Sequence, residues 1–244
     1  MPDNFLAYAF YRLMWTGLDV LFPPLCGGCE KTGSRWCSEC QQRVQILDGT
    51  LCEVCGLPLI SAGICASCSL DRPHFYALRS WVIFDDPIRK ALHKLKYRRN
   101  IGLGDALAAH MSNFVKDLDW MVDTVIPIPL GHQRQRERGY NQVGMIAKPL
   151  SLALNVKFAP KTLIRRKETR SQVGLTRQER RENVHNAFQV CKDVSGMNIL
   201  LLDDVSTTGS TLSSGAKELY SSGAKKVFAF TVARALPHHG LKHV

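Results

Sequence analysis

Between residues 26 and 68 the chain places eight cysteines in four Cys-x-x-Cys pairs: Cys26/Cys29, Cys37/Cys40, Cys52/Cys55 and Cys65/Cys68. Each pair sets two thiols on one tight turn, the geometry of a tetrahedral metal knuckle, so the eight ligands make two four-cysteine sites. The stretch has few large apolar side chains, cannot bury a core of its own and needs metal to fold. One thioredoxin-like redox pair would not come in four copies outside a βαβ context. Iron–sulfur binding is the lesser alternative, since two complete sets resemble a double zinc ribbon more than the uneven spacing of ferredoxins. The expectation is therefore two structural zinc ions, with all ligands thiolate and no position open for water. Loop-closure entropy modestly favours sequential pairing over a cross-brace, and sequential pairing is the reading adopted.

The ninth cysteine, Cys191, follows a strand-like run and is expected to be a small buried apolar side chain. Paired cysteines without a secretory signal suit a reducing, cytoplasmic setting. Phe5 to Leu25 is mostly apolar but contains Arg12 and Asp19, with Leu6, Phe10, Leu13, Leu18 and Leu21 near helical spacing. Residues 1–22 thus read as an amphipathic helix packed on the body, without stable membrane insertion. The ribbon module is assigned to residues 23–73 and an α/β domain to residues 74–244.

After His74, apolar strand-like runs alternate with helical ones. Trp81 to Phe84 reads as a strand, Ile88 to Tyr97 and Gly102 to Leu118 as helices, and Thr124 to Pro129 as a short buried strand entering a Pro-bounded loop. Asp85-Asp86-Pro87 reads as a helix start with an acidic cap. Asn141 to Leu154 is helical. Pro160 to Val184 carries eight Lys or Arg against three Glu and reads as a long mobile basic loop ending in a short helix. Met197 to Leu202 is a continuous apolar strand, followed by a helix from about Thr208 to Ser222, a stop at Gly223 and a strand from Lys226 to Val232. Strand, helix and strand in this order imply a parallel sheet with helices on both faces.

The segment Ile199-Leu-Leu-Leu-Asp203-Asp204-Val205-Ser206-Thr207-Thr208-Gly209-Ser210-Thr211 delivers two carboxylates at a strand end, then a hydroxyl-rich turn that opens a helix. Amides and hydroxyls at a helix N-terminus suit a phosphate, and two carboxylates can accept hydrogen bonds from vicinal hydroxyls of a ribose. An ordinary capped helix explains an isolated Asp-Asp, but not thirteen positions in register.

This segment resembles the phosphoribosyl pyrophosphate (PRPP) signature of type I phosphoribosyltransferases. Val125 to Leu130 with Arg134-Gln-Arg-Glu-Arg-Gly-Tyr-Asn-Gln142 resembles the pyrophosphate-side loop, and Arg165 to Phe188 the flexible loop that closes over PRPP. With the ribbon in front and Leu95-Lys96-Tyr97 between, the order resembles the ComF family of competence-associated, phosphoribosyltransferase-like proteins over nearly the whole chain. The resemblance implies that Asp203 and Asp204 hold the ribose hydroxyls, directly or through Mg²⁺, that Thr207, Thr208, Gly209, Ser210 and Thr211 hold the 5′-phosphate, and that Val205 and Ser206 belong to the same PRPP-binding segment. It further implies that Arg138 and Gly139, with Arg134 or Arg136, face pyrophosphate, and that Arg170, Gln172 and Arg180 close over the site. Asp203, Asp204, Arg170 and Arg180 are the residues implied to act in catalysis. Purine-salvage members place an Asp where this chain has Thr207, which argues against hypoxanthine or guanine as acceptor. The implied activity is pentosyl transfer with release of pyrophosphate, in DNA uptake or use during natural transformation.

The alternative is a non-catalytic PRPP sensor, or an adaptor for single-stranded DNA and competence or DNA-processing proteins. Thirty-two Lys and Arg against twenty-one Asp and Glu give a net +11, which favours phosphate-bearing partners. Six of the basic residues fall within residues 89–99, and Lys94, Lys96, Tyr97, Arg98 and Arg99 are the nucleic-acid candidates, with Tyr97 able to stack on a base. The ribbon region from Cys26 to His74 carries four basic and five acidic residues, so it is not the clamp. His238, His239 and His243 are read as a disordered tail.

Overall fold

The computed structural model describes Leu13, residues 23–166 and residues 187–236. Apart from Leu13, which is helical and exposed, the expected N-terminal helix lies outside the described residues, as do the histidine tail and residues 167–186 of the basic loop.

Seven strands and seven helices are described. Helices α1 (Ser38–Arg43) and α2 (Ala66–Leu70) belong to the cysteine-rich region. They are followed by β1 (Ala77–Ile83), α3 (Ile88–Tyr97), α4 (Gly102–Asp117), β2 (Thr124–Pro127), α5 (His132–Arg138), α6 (Gln142–Ala153), β3 (Lys157–Phe158), β4 (Leu163–Arg165), β5 (Phe188–Val190), β6 (Asn198–Ser206), α7 (Ser210–Ser221) and β7 (Lys226–Arg234). Five strands form one parallel sheet in the order β1-β7-β6-β2-β3, and β4 and β5 pair antiparallel beside it. The central strands are continuous apolar runs because both faces are covered: Ile199, Leu200, Leu201 and Leu202 are all fully buried.

Each face has its own core. On one, α3, α4 and α6 pack through Leu92, Leu107, Ile146 and Leu150. On the other lie α7, through Leu212, Ala216 and Leu219, and the β4-β5 ribbon, through Leu163 and Phe188. In α3 the buried residues Ile88, Ala91, Leu92 and Leu95 follow the i, i+3, i+4, i+7 stripe of a half-buried helix.

The cysteine-rich region straddles the β1 edge. Cys26, Trp36 and Cys40 join the first core, whereas Cys52, Val54, Cys55, Cys65 and Cys68 join the second. The segment between the two halves runs antiparallel to β1: the Ile83 N–H donates to the Gln45 carbonyl at 2.9 Å, and the Leu47 N–H to the Trp81 carbonyl at 3.0 Å. Gly56 holds a left-handed φ of 66°, and a Cβ there would stand 2.5 Å from the Leu78 carbonyl oxygen, so only glycine fits where the second knuckle meets β1.

Four expectations need correction. Residues 132–138 form α5 instead of a loop; the helix buries no residue and so carries no apolar periodicity. Leu163–Arg165 at the start of the basic loop is a strand, held by pairing with β5, a partner distant in sequence. Pro87 caps α3 without a side-chain hydrogen bond, and Asp86 instead binds Arg89. Cys191 is exposed, because β5 ends at Val190 and the chain turns outward through Lys192 and Asp193.

Candidate functional site

The crossover helix after β2 covers one face of the sheet and the crossover helix after β6 the other, so the space beyond their carboxyl ends is a topological switch point, where ligands of open α/β sheets bind. Asp203 and Asp204 stand there at the end of β6. Gly209 follows in the left-handed region (φ 77°) as the N-cap of α7, a conformation that suits glycine. Its turn is tied by Thr208 Oγ1, which donates to Ser210 Oγ at 3.1 Å and accepts from the Ser210 N–H at 3.3 Å. Val205 and Ser206 are the last residues of β6; Thr207 and Thr211 are half-buried around the turn.

Two other elements reach the acids. Lys96 from α3 places Nζ 3.1 Å from Asp204 Oδ2, and Gln142 from α6 donates its Nε2 to the same oxygen at 2.9 Å. The Gln142 carbonyl oxygen accepts from Arg138 Nη1 at 2.7 Å, and Arg138 Nη2 donates to the Tyr97 hydroxyl at 3.3 Å. The Arg138 guanidinium also lies 4.9 Å from the Tyr97 ring centroid, in cation–π range. Tyr140 donates its hydroxyl to the Leu95 carbonyl, and Asn141 caps α6 while its Nδ2 donates to the Ile128 carbonyl. The motif from Arg134 to Gln142 thus docks α5, α6 and α3 around β6.

The two carboxyls are driven apart. Burial raises Asp204, but the Lys96 charge and the Gln142 amide outweigh it and hold the group below the usual range. Burial, and then the Asp204 charge, push Asp203 up to about 7. One site therefore presents an ionised and a readily protonated carboxyl side by side.

Each cysteine quartet has its four Sγ atoms within 4.8 Å of one another, and the sets are Cys26, Cys29, Cys37, Cys40 and Cys52, Cys55, Cys65, Cys68, the sequential pairing. Backbone N–H groups face sulfur as expected of knuckles, Cys37 to Cys26 at 3.4 Å and Cys65 to Cys52 at 3.3 Å. Burial opposes ionisation of Cys26 and of Cys52, yet backbone amides, those of Cys29 and then Cys37 for the first and of Cys55 and then Cys65 for the second, bring both thiols down to about 6. Burial and neighbouring cysteines push Cys40 and Cys68 up. Four thiolates so close need a cation, and the donor sets suit structural zinc.

The nucleic-acid candidates divide. Lys94 pairs with Glu30 at 3.0 Å and donates to the Cys26 carbonyl at 3.3 Å, so it ties α3 to the first knuckle. Lys96 and Tyr97 belong to the Asp204 network. Arg89 and Lys90 both pair with Asp86. Four of the six basic residues within 89–99 thus face acids, and Arg98 and Arg99 stand exposed at the end of the helix. Arg134, Arg138 and Gly139 lie on α5 and its C-cap, whereas Arg170, Gln172 and Arg180 fall outside the described residues.

The double zinc ribbon domain matches residues 17–69. The DNA utilization protein YhgH of Escherichia coli (strain K12) is 30% identical over 224 residues, covering 88% of this chain and 98% of that protein. The chain belongs to the ComF family. Within it, Competence protein F of Haemophilus influenzae is 30% identical over 208 residues, covering 82% of this chain and 90% of that one. Among solved structures, adenine phosphoribosyltransferase from Saccharomyces cerevisiae overlaps 57% of the chain and 72% of its own at 16% identity and a TM-score of 0.37. The parallel sheet with helices on both faces, behind a ribbon with two four-cysteine sites, is the α/β architecture with a Cys-rich front module that the sequence leads one to expect. No helix among the described residues is long and apolar enough to cross a membrane.

Sequence reasoning assigned no role to Gln142 and placed Lys96 with nucleic acid. Both lie in motifs already singled out, Arg134 to Gln142 and Leu95-Lys96-Tyr97, so the motifs were the signal and only the pairing was missing. Arg234 carried no signal of its own. It is buried at the end of β7, where Nη1 donates to the Cys55 carbonyl at 2.8 Å and to Ser206 Oγ at 3.3 Å.

Proposed function

We propose that this ComF protein binds PRPP at the β6–α7 turn and transfers its pentosyl group, releasing pyrophosphate, in the use of DNA taken up by the cell. The observation that carries this reading is the Asp204 network: a carboxylate buried at the switch point, held ionised by Lys96 and Gln142, with a second carboxyl beside it and a turn of amides and hydroxyls after it. In this reading the α7 N-terminus and residues 207–211 bind the 5′-phosphate. Asp203 and Asp204 orient the ribose hydroxyls, and Arg138 with Arg134 stabilises the negative charge that develops on pyrophosphate as it departs with the bond's electron pair. The hard oxygens of the two acids suit Mg²⁺, which when bound would offset the charge of the pyrophosphate. Arg170, Gln172 and Arg180 are proposed to shield the site during transfer. Structural zinc in both quartets, a cytoplasmic setting and the division at residues 22/23 and 73/74 complete the reading.

Titration calorimetry of PRPP with Mg²⁺ into the wild type and the Asp203→Asn/Asp204→Asn variant tests it, on protein whose elemental analysis gives about two zinc ions per chain. Binding by the wild type, lost in a variant that remains folded, is the expected result. Absence of PRPP binding by the wild type refutes the reading. PRPP binding without pyrophosphate release across a panel of bases and single-stranded DNA assigns the protein to the sensor or adaptor class instead.

A further inference from the structure

Arg234 is a positively charged side chain with 5% of its surface exposed, set between the second cysteine quartet and the turn that follows Asp204. Its backbone is fixed from both sides: its carbonyl accepts from the Phe84 N–H at 2.8 Å, and it sits opposite Ser206 in the β6-β7 register, with the Ala235 N–H donating to the Ser206 carbonyl at 2.9 Å. The two hydrogens of Nη1 are divided between the Cys55 carbonyl and Ser206 Oγ, so a single nitrogen joins a knuckle backbone to the phosphate turn. The same junction is packed by apolar atoms, since Phe75 and Leu78, from the core that holds the second quartet, lie against Gly209. The Leu78 N–H in turn donates to the Val54 carbonyl inside the second knuckle at 2.7 Å. The first quartet reaches the site only indirectly among these contacts, through Lys94 on α3.

We infer that Arg234 is a positioning residue: through the buried Ser206 it holds the end of β6, where the phosphate turn begins, only while Cys55 is held by a metal-filled second quartet, so metal at that quartet and PRPP at the turn stabilise one another. The inference rests on the PRPP reading above. Physically, a buried guanidinium keeps its place only while its acceptors keep theirs, and the Cys55 carbonyl is the acceptor whose position depends on the knuckle. Coupling of this kind is reciprocal, so whatever factor metal adds to PRPP affinity, PRPP adds to metal retention.

The test uses the full chain loaded with zinc. PRPP with Mg²⁺ is titrated into wild type, Arg234→Met and Arg234→Lys, and amide exchange is followed separately on peptides spanning 26–40 and 52–68 in a zinc chelator, with and without saturating PRPP. In the wild type PRPP is expected to slow exchange over 52–68 and leave 26–40 little changed. Arg234→Met is expected to bind PRPP roughly tenfold more weakly, the value of one charge-assisted hydrogen bond, and to lose the protection of 52–68. Lysine, with a charge but no fork, is expected to recover part of the affinity. If Arg234→Met does not fold, Ser206→Ala, which cuts the same link from its other end, is expected to lose the protection. Wild type that binds PRPP without protecting 52–68, or a folded Arg234→Met that binds as tightly as wild type, overturns the inference alone. Wild type that binds no PRPP overturns the functional reading, and this inference with it.

Discussion

Asp203→Asn is expected to make the ligand-free protein more stable at pH 8 while removing its affinity for PRPP. Burial and the adjacent Asp204 charge raise the Asp203 carboxyl from 3.8 to about 7. An acid whose pKa is higher in the folded state holds its proton more tightly when folded. Folding therefore loses stability as pH rises from about 4 to about 7, and the loss is complete above that window. A shift of about three units corresponds to about 4 kcal/mol at most. Asp203 is half-buried and divides its charge with Asp204, so about 1–2 kcal/mol should survive screening. Asparagine retains the oxygen that accepts the Asp204 N–H at 2.9 Å, and the local turn keeps its geometry. For a chain of this size the gain amounts to roughly 3–6 °C in Tm. Scanning calorimetry without PRPP or Mg²⁺ measures it, and the difference should be roughly halved by pH 5.5 and nearly gone by pH 4, where the unfolded chain is protonated as well. A Tm at pH 8 equal to or below that of the wild type, or a gain that ignores pH, refutes the reasoning.

Lys96→Met leaves Asp204 without its cation, so that carboxyl should rise toward the ordinary range or above it. PRPP binding, measured by calorimetry across pH, should weaken and fall off at higher pH than in the wild type; an unchanged profile would show that Lys96 does not govern Asp204. Gly56→Ala forces a Cβ toward the Leu78 carbonyl at a left-handed φ and should cost more than about 1 kcal/mol in denaturant unfolding. A neutral result there would mean that the second knuckle does not press on β1.

The elements read best from sequence were those whose apolar pattern is local. Ile88–Tyr97 is the helix its spacing predicts, and the knuckles pair in the order their short loops favour. The pattern gave out where partners lie far away in sequence. The strand read as ending at Leu202 continues to Ser206, because β7 pairs with it up to Arg234. Whether a lysine on a basic helix meets DNA or an acid depends on what the sheet sets opposite it, and Lys96 meets Asp204. Arg234 had no motif to reveal it, since its meaning comes from a knuckle 179 residues earlier in the chain.

The backbone bonded to the outer rim of β1 has a consequence for how the molecule fails. An unpaired rim on a sheet is a template for further strands, and proteins cover, shorten or charge it to stay monodisperse. Here the cover is residues 45–47, suspended between two cysteine quartets, while the opposite rim is the two-residue β3. Stripping metal would release both ends of that cover at once and bare the rim of β1 from Trp81 to Ile83, an apolar stretch. Chelation or thiol oxidation would then harm this protein first through chain-to-chain strand pairing, with turbidity preceding the loss of helix.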